Sequence, residues 1–238
     1  MTPIPFEPQQ AIDGSRTCGA AALTMVYRSL GTNSQQLAVW HRVAEEIRPG
    51  TKATRTHRLA LDARQSGYTS VVLQAERPAA LLLQLIESDI RVILNHRLDR
   101  RSHLGHYSVL LRFDGDQVEI HDPHRGPNRV LPWAEFEELW QPDTQRSEIV
   151  GRVLVAIGTD PGESRSCRNC CNAVPTHWTC ARCGQLVPIG PAGAVRCVTP
   201  ACSERLWSRL FCPHCDRAET NPGQKPVENA GTGHREVP

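Results

Sequence analysis

Long apolar runs are missing from this chain of 238 residues: none approaches the ~18 residues that a membrane-spanning helix needs. A secretory start is missing too, because Met1-Thr2-Pro3-Ile4-Pro5-Phe6-Glu7 has neither a basic opening nor an apolar stretch. These absences lead us to expect a soluble, cytoplasmic protein. Aromatic residues are scarce at 5%, yet 39% hydrophobic residues can still fill a core. The length suits one ordinary domain with a smaller appendage. Charge of one sign is lacking as well: 27 basic residues face 25 acidic ones, which leaves little basic footprint for nucleic acid. Finally, cysteine is nearly absent from the first two-thirds of the chain, where Cys18 stands alone among the ten.

The other nine cysteines are concentrated. Cys167-x2-Cys170 and Cys180-x2-Cys183 are followed by Cys197-x4-Cys202 and Cys212-x2-Cys215, an internal repeat with nine residues between the inner cysteines of each half. In a reducing compartment such clustering points to metal rather than disulfides. Paired cysteine knuckles supply the four soft ligands of tetrahedral zinc and leave no open position for water, so two structural zinc ions are expected. The simplest assignment is sequential. One ribbon would use Cys167, Cys170, Cys180 and Cys183, and the other Cys197, Cys202, Cys212 and Cys215. Cross-braced pairing of alternate knuckles is the alternative, and Cys171 is left over. Eight thiolates outweigh the charge of two zinc ions and turn the net charge slightly negative. Arg165, Arg168, Arg182, Arg196, Arg205 and Arg209 therefore read as solubilising residues, and the ribbons as a docking surface for a protein partner or a substrate.

Residues 1–158 alternate helices and strands. Periodicity predicts helices over 20–30, 34–47 and 56–66, a strand over 70–73, a helix opening at Pro78 and a strand over 91–94. Tyr107–Arg112 and Gln117–His121 flank an Asp-Gly turn and predict a hairpin. A short helix over 131–140 and a strand over 150–157 complete an α+β pattern. Residues 159–166 read as a linker, 167–217 as the double ribbon, and 218–238 as a disordered polar tail.

Cys18 lies in Ser15-Arg16-Thr17-Cys18-Gly19-Ala20-Ala21-Ala22-Leu23, where a loop turns into a helix. Unpaired N–H groups and the helix dipole favour a thiolate there. A cysteine nucleophile needs a base and a group to orient it. His106 opens the hairpin and Asp122 ends it. A three-residue turn would set them directly across from one another, and a two-residue turn would put them on opposite faces. His103 and His124, three residues from His106 and His121, read as loop residues rather than ligands of a second metal.

The motif Cys18-Gly19-Ala20-Ala21-Ala22-Leu23-x-Met25-Val26, then Gly105-His106-Tyr107, then Asp122-Pro123 resembles the papain-like cysteine peptidases that process bacteriocins. Those enzymes remove double-glycine leader peptides and are often fused to ABC transporters. The resemblance covers about residues 3–157, including Phe136-x2-Leu139-Trp140. It implies a papain-like α+β fold and a peptide or protein substrate cut after Gly-Gly or similar small residues. It also implies a site with Cys18 as nucleophile, His106 as base and then acid, and Asp122 orienting the imidazole. The family's oxyanion glutamine stands six residues before the cysteine. That position is Ile12 here, and a two-residue insertion would bring Gln10 into its place. The chain has no transporter or ATPase segment, so it is expected to act alone or with a separate partner. The same fold also hosts isopeptidases and acyl transferases, and a non-enzymatic peptide-binding adaptor is the alternative from a different class.

Overall fold

The computed structural model of the chain describes residues 2–12, 14–160 and 165–222. It opens with β1 (Ser15–Arg16), α1 (Cys18–Ser29), α2 (Gln36–Val43), β2 (Ala44–Arg48), β3 (Thr51–Thr54) and α3 (Thr56–Gln65). Then follow β4 (Thr69–Ala75), α4 (Pro78–Glu87), β5 (Arg91–Arg97), β6 (Gly105–Phe113), β7 (Gln117–Asp122) and β8 (Gly126–Pro132). After α5 (Trp133–Leu139) and β9 (Val153–Gly158) come the short strands β10 (Arg165–Ser166), β11 (Ala173–Val174), β12 (His177–Thr179) and β13 (Leu186–Pro188). The last two are β14 (Trp207–Phe211) and β15 (Ala218–Glu219). No helix among the described residues is long and apolar enough to cross a membrane.

Eight strands form one antiparallel sheet in the order β15-β14-β4-β9-β5-β6-β7-β8. Helices cover both faces, so its central strands are buried throughout: all seven residues of β5 and all six of β9. Alternate residues of one strand serve different cores. Val72, Ile93 and Val155 meet Leu23, Val26 and Trp40 on the α1–α3 side. Leu73, Leu94 and Leu154 meet Leu85, Phe136 and Trp140 on the α4–α5 side.

Two predicted helices are shorter than expected. The one over 34–47 stops at Val43, and residues 44–48 instead pair with β3 across a turn at Pro49-Gly50. The one over 131–140 begins only at Trp133, because Pro132 disfavours helical backbone at the residue before it. Gly126–Pro132 is an edge strand on β7.

The cysteine-rich part is not a tethered appendage. β14 pairs with β4, so the final hairpin extends the main sheet. Trp207 and Leu210 are fully buried, each worth about 1.5–3 kcal/mol in apolar burial. They share their core with Leu73, Leu81 and Leu154. Arg205, read from sequence as a solubilising residue, is buried. Its guanidinium lies 4.1 Å from the Trp207 ring centroid and donates to the carbonyls of Val198, Trp207, Ser208 and Thr220. Of the expected tail, Ala218–Glu219 form β15, and residues 223–238 lie outside the described residues. So do residues 161–164 of the expected linker.

Candidate active site

Cys18 is the first residue of α1, and the first intrahelical bond runs from Ala21 N–H to the Thr17 carbonyl. The N–H groups of Cys18, Gly19 and Ala20 thus precede the ladder and remain available to an anion. The entry is held by β1, which pairs in parallel with β3, and by the Thr17 hydroxyl, which donates to the Gln10 carbonyl at 2.6 Å. Gly19 has a steric reason. A Cβ there would lie 2.9 Å from Thr54 Cβ and 3.1 Å from Tyr107 Cδ2, so α1 can approach β3 and β6 only without a side chain.

The loop between β6 and β7 is longer than either turn expected from the sequence. Phe113 faces Val118 and leaves four residues between them. Alone, that loop would put Asp122 on the face opposite His106. A bulge between Leu110 and Arg112 adds one residue to β6 and restores the parity, so that Leu110 faces Ile120 and Val109 faces His121. His106 is therefore diagonal to Asp122 on a shared face rather than directly across from it. A diagonal neighbour is within reach of a long side chain: His106 Nε2 lies 2.7 Å from Asp122 Oδ1.

That contact leaves the other imidazole nitrogen on the side of Cys18, whose thiol interacts electrostatically with His106. The electrostatics are those of an ion pair. Burial would push the Cys18 thiol up, but the His106 charge, its hydrogen bond, the Tyr107 N–H and Arg16 together hold it below its ordinary value. Burial would pull the His106 imidazole down, but the Cys18 charge and the Asp122 hydrogen bond push it up to about 9. Asp122 is fully buried, which would raise its carboxyl. The bonds and charge of His106 and the His124 N–H hold it well below the usual carboxylate range. Its Oδ1 also accepts from the N–H groups of His124 and Arg125 at 2.9 and 3.1 Å, and its Oδ2 from Arg129 at 2.7 Å.

Two of these neighbours escaped the sequence reading. Arg129 neutralises Asp122 from β8. His96 faces His106 across the β5–β6 ladder, with ring centroids 5.3 Å apart. Burial and the His106 charge push His96 down to about 3, so it is neutral. Its Nδ1–H then donates to the Arg97 carbonyl, and its Nε2 accepts from the Ser108 hydroxyl. Neither has a local motif. His96 could have been found only from strand register, and Arg129 only from the third strand of the meander.

The glutamine expectation fares differently. Gln10 is exposed and is not among the residues lining the cavity onto which Cys18 opens, and its carbonyl accepts from the Thr17 hydroxyl. Gln9 is the one turned toward the histidines, with its side-chain amide 3.1 Å from His124 Nδ1. His103 and His124 join no metal-ligating group among the described residues. His103 instead lies 2.9 Å from Asp143. The cavity at Cys18 measures about 360 Å³, with Arg16, Glu148, Tyr107, Phe211 and Asp216 in its walls.

The eight cysteines gather into two groups, but not in the sequential pairing. One group is Cys167, Cys170, Cys197 and Cys202, and the other Cys180, Cys183, Cys212 and Cys215. Alternate knuckles are paired, so the sequential assignment is corrected to the cross-braced one. The reason is the ladder: the fourth knuckle closes the β14–β15 hairpin, and that hairpin is held on β4. Sulfur separations of 3.6–3.7 Å fit the edge of a tetrahedron with metal–sulfur bonds of about 2.3 Å. They are far too long for disulfides. The leftover Cys171 has a backbone role. Three knuckles end in a left-handed residue whose N–H returns to the first cysteine's carbonyl, and Cys171, Gly184 and Asp216 hold that position.

The sequence model of the Peptidase_C39 like family matches residues 1–148 of the chain. Among solved structures, a C39-like peptidase from Bacillus anthracis is similar at 16% identity and a TM-score of 0.51, covering 66% of this chain and 96% of its own. A double glycine motif protease from an AMS/PCAT transporter, solved with its leader peptide, is similar at 19% identity and a TM-score of 0.48, covering 66% of this chain and 91% of its own. At 16% identity the likeness to the Bacillus anthracis structure concerns the fold alone. No curated protein sequence matches the chain.

Proposed function

The chain belongs to the Peptidase_C39 like family of cysteine-type peptidases, and on that premise we propose that Cys18, His106 and Asp122 are its catalytic residues. The observation that carries this is the buried relay from Cys18 through His106 to Asp122, with the thiol held low and the imidazole high.

The Cys18 thiolate attacks the carbonyl carbon of the scissile bond. The oxyanion forms beside the Cys18 N–H at the start of α1, where the helix dipole favours negative charge. His106, already protonated, gives its proton to the leaving amine as the C–N bond breaks and a thioester forms. Now neutral, the same imidazole takes a proton from water, whose oxygen attacks the thioester and releases the acid and the thiolate. Asp122 keeps the ring oriented through Nε2 and stabilises its cationic form. Arg129 and two backbone N–H groups keep Asp122 ionised in its buried place.

The family's likeness makes peptides with a Gly-Gly or similar small-residue cleavage site the first substrates to test. The cysteine groups suit zinc, since four thiolates bind it in a closed structural site. We assign Cys167, Cys170, Cys197 and Cys202 to one ion and Cys180, Cys183, Cys212 and Cys215 to the other. Bound zinc would fix the fold of residues 165–222 and take no part in the cleavage. Incubation with Gly-Gly-containing peptides, followed by mass spectrometry, should show products from the wild type and none from Cys18→Ser. Equal product from the two proteins would overturn the assignment.

A further inference from the structure

The cleft at Cys18 is not built from the family-matched residues alone. Phe211 and Asp216, which flank the fourth cysteine knuckle, stand in its wall. Asp216 follows Cys215, adopts a left-handed backbone (φ 61°), and is pinned by its N–H to the Cys212 carbonyl at 2.9 Å. The cleft wall and the knuckle are thus one piece of backbone.

The charges in this cleft divide by position. Arg16 and Arg48 both face Glu148, at 2.5 and 3.6 Å, and Glu148 also accepts the Gly105 N–H. Arg55 lies 3.4 Å from Glu45. Every arginine in the wall therefore has an acidic partner. Among the described residues Asp216 pairs with no arginine or lysine. Its ionic neighbour is His57, whose Nδ1 is 3.6 Å away, too far for a hydrogen bond, and is buried without one. The Asp216 side chain keeps 44% of its surface exposed. A half-exposed carboxylate in the wall of a peptidase cleft, with no lysine or arginine partner among the described residues, offers a site for a cation of the substrate.

We propose that Asp216, presented by the second cysteine group, is a specificity-determining residue that binds a lysine or arginine side chain of the substrate near the scissile bond. This rests on the peptidase reading above. The added claim is that residues beyond the family-matched segment choose the substrate by charge. An ion pair that is weak when fully solvated gains strength inside a cleft, and its main effect there is to select by charge.

The test is a cleavage profile on a proteome-derived peptide library, read by mass spectrometry for wild type, Asp216→Asn and Asp216→Lys, with Cys18→Ser as the blank. The wild type should favour Lys and Arg over Asp and Glu about tenfold at one position within four residues of the cut. Asp216→Asn should erase that preference, and Asp216→Lys should reverse it at the same position. A purely structural clasp between Asp216 and His57 would lower stability without moving a positional preference. Identical profiles in the three proteins would overturn the charge selectivity and leave the peptidase intact. A library uncut by the wild type would overturn the peptidase reading and this inference with it.

Discussion

Replacing His106 with alanine should change how Cys18 reacts with pH far more than how fast it reacts at neutrality. An ordinary cysteine titrates near 9.0, so at pH 7 about one thiol in a hundred is ionised, whereas the His106 charge holds Cys18 below that value and raises its thiolate fraction. That gain in thiolate does not carry fully into the rate. Thiolate nucleophilicity falls with pKa, with a Brønsted slope of about 0.4–0.5, and this offsets part of the gain near neutrality. Below neutrality the two effects separate. At pH 5.5 only roughly one in three thousand ordinary thiols is ionised, and Cys18, held below that ordinary value, keeps the larger thiolate fraction. Iodoacetamide labelling, followed by mass spectrometry of the peptide Thr17–Arg28, gives the rate. The wild type should be flat through neutral pH and about tenfold faster than His106→Ala at pH 5.5. The variant should rise about tenfold per pH unit toward 9 or beyond, since burial without the imidazolium raises the thiol. A wild-type curve that already has this form, and that His106→Ala leaves unchanged, would refute the ion pair.

Asp122→Asn weakens the charge-assisted hydrogen bonds to His106 and Arg129, and should cost about 1.5–3 kcal/mol. The Tm should fall by about 6 °C. Because its folded carboxyl lies below the unfolded value, Asp122 stabilises above about pH 4 and ceases to do so as the pH falls through its folded value. Thermal melts of the two proteins should therefore converge in acid. Metal analysis should find two zinc ions per chain. A Cys167→Ser/Cys202→Ser double variant should lose one ion and Cys167→Ser/Cys180→Ser both, the reverse of what sequential pairing requires. Gly19→Ala should destabilise by about 1–3 kcal/mol through collision with Thr54 and Tyr107, and slow Cys18 labelling, both measurable on one preparation.

Residue chemistry was legible wherever it is local. The Cys18-Gly19 helix start, the β6–β7 hairpin and the cysteine knuckles each carry their own signal. What failed depends on pairings made elsewhere. The bulge beside Leu111 decides which face Asp122 takes, and no residue type there announces it. Ala44–Ile47 continues an apolar helical spacing, but β3 offers a ladder across Pro49-Gly50 and wins. Trp207-Ser208-Arg209-Leu210-Phe211 is a strand by composition. Its position between cysteines made it look like part of a small module, and only the free edge of β4 explains where it goes. That same edge fixes which knuckles meet. Gln10 rests on counting from a motif, with no local signal of its own, and its side chain is exposed.

The relay is tested most directly by NMR titration of the His106 ring in selectively labelled protein. The imidazole should stay protonated through neutrality and lose its proton at about 9. The inflection should fall in Cys18→Ser, where the thiolate charge is gone. A His106 that titrates near 6.5 in the wild type, indifferent to Cys18→Ser, would contradict the relay.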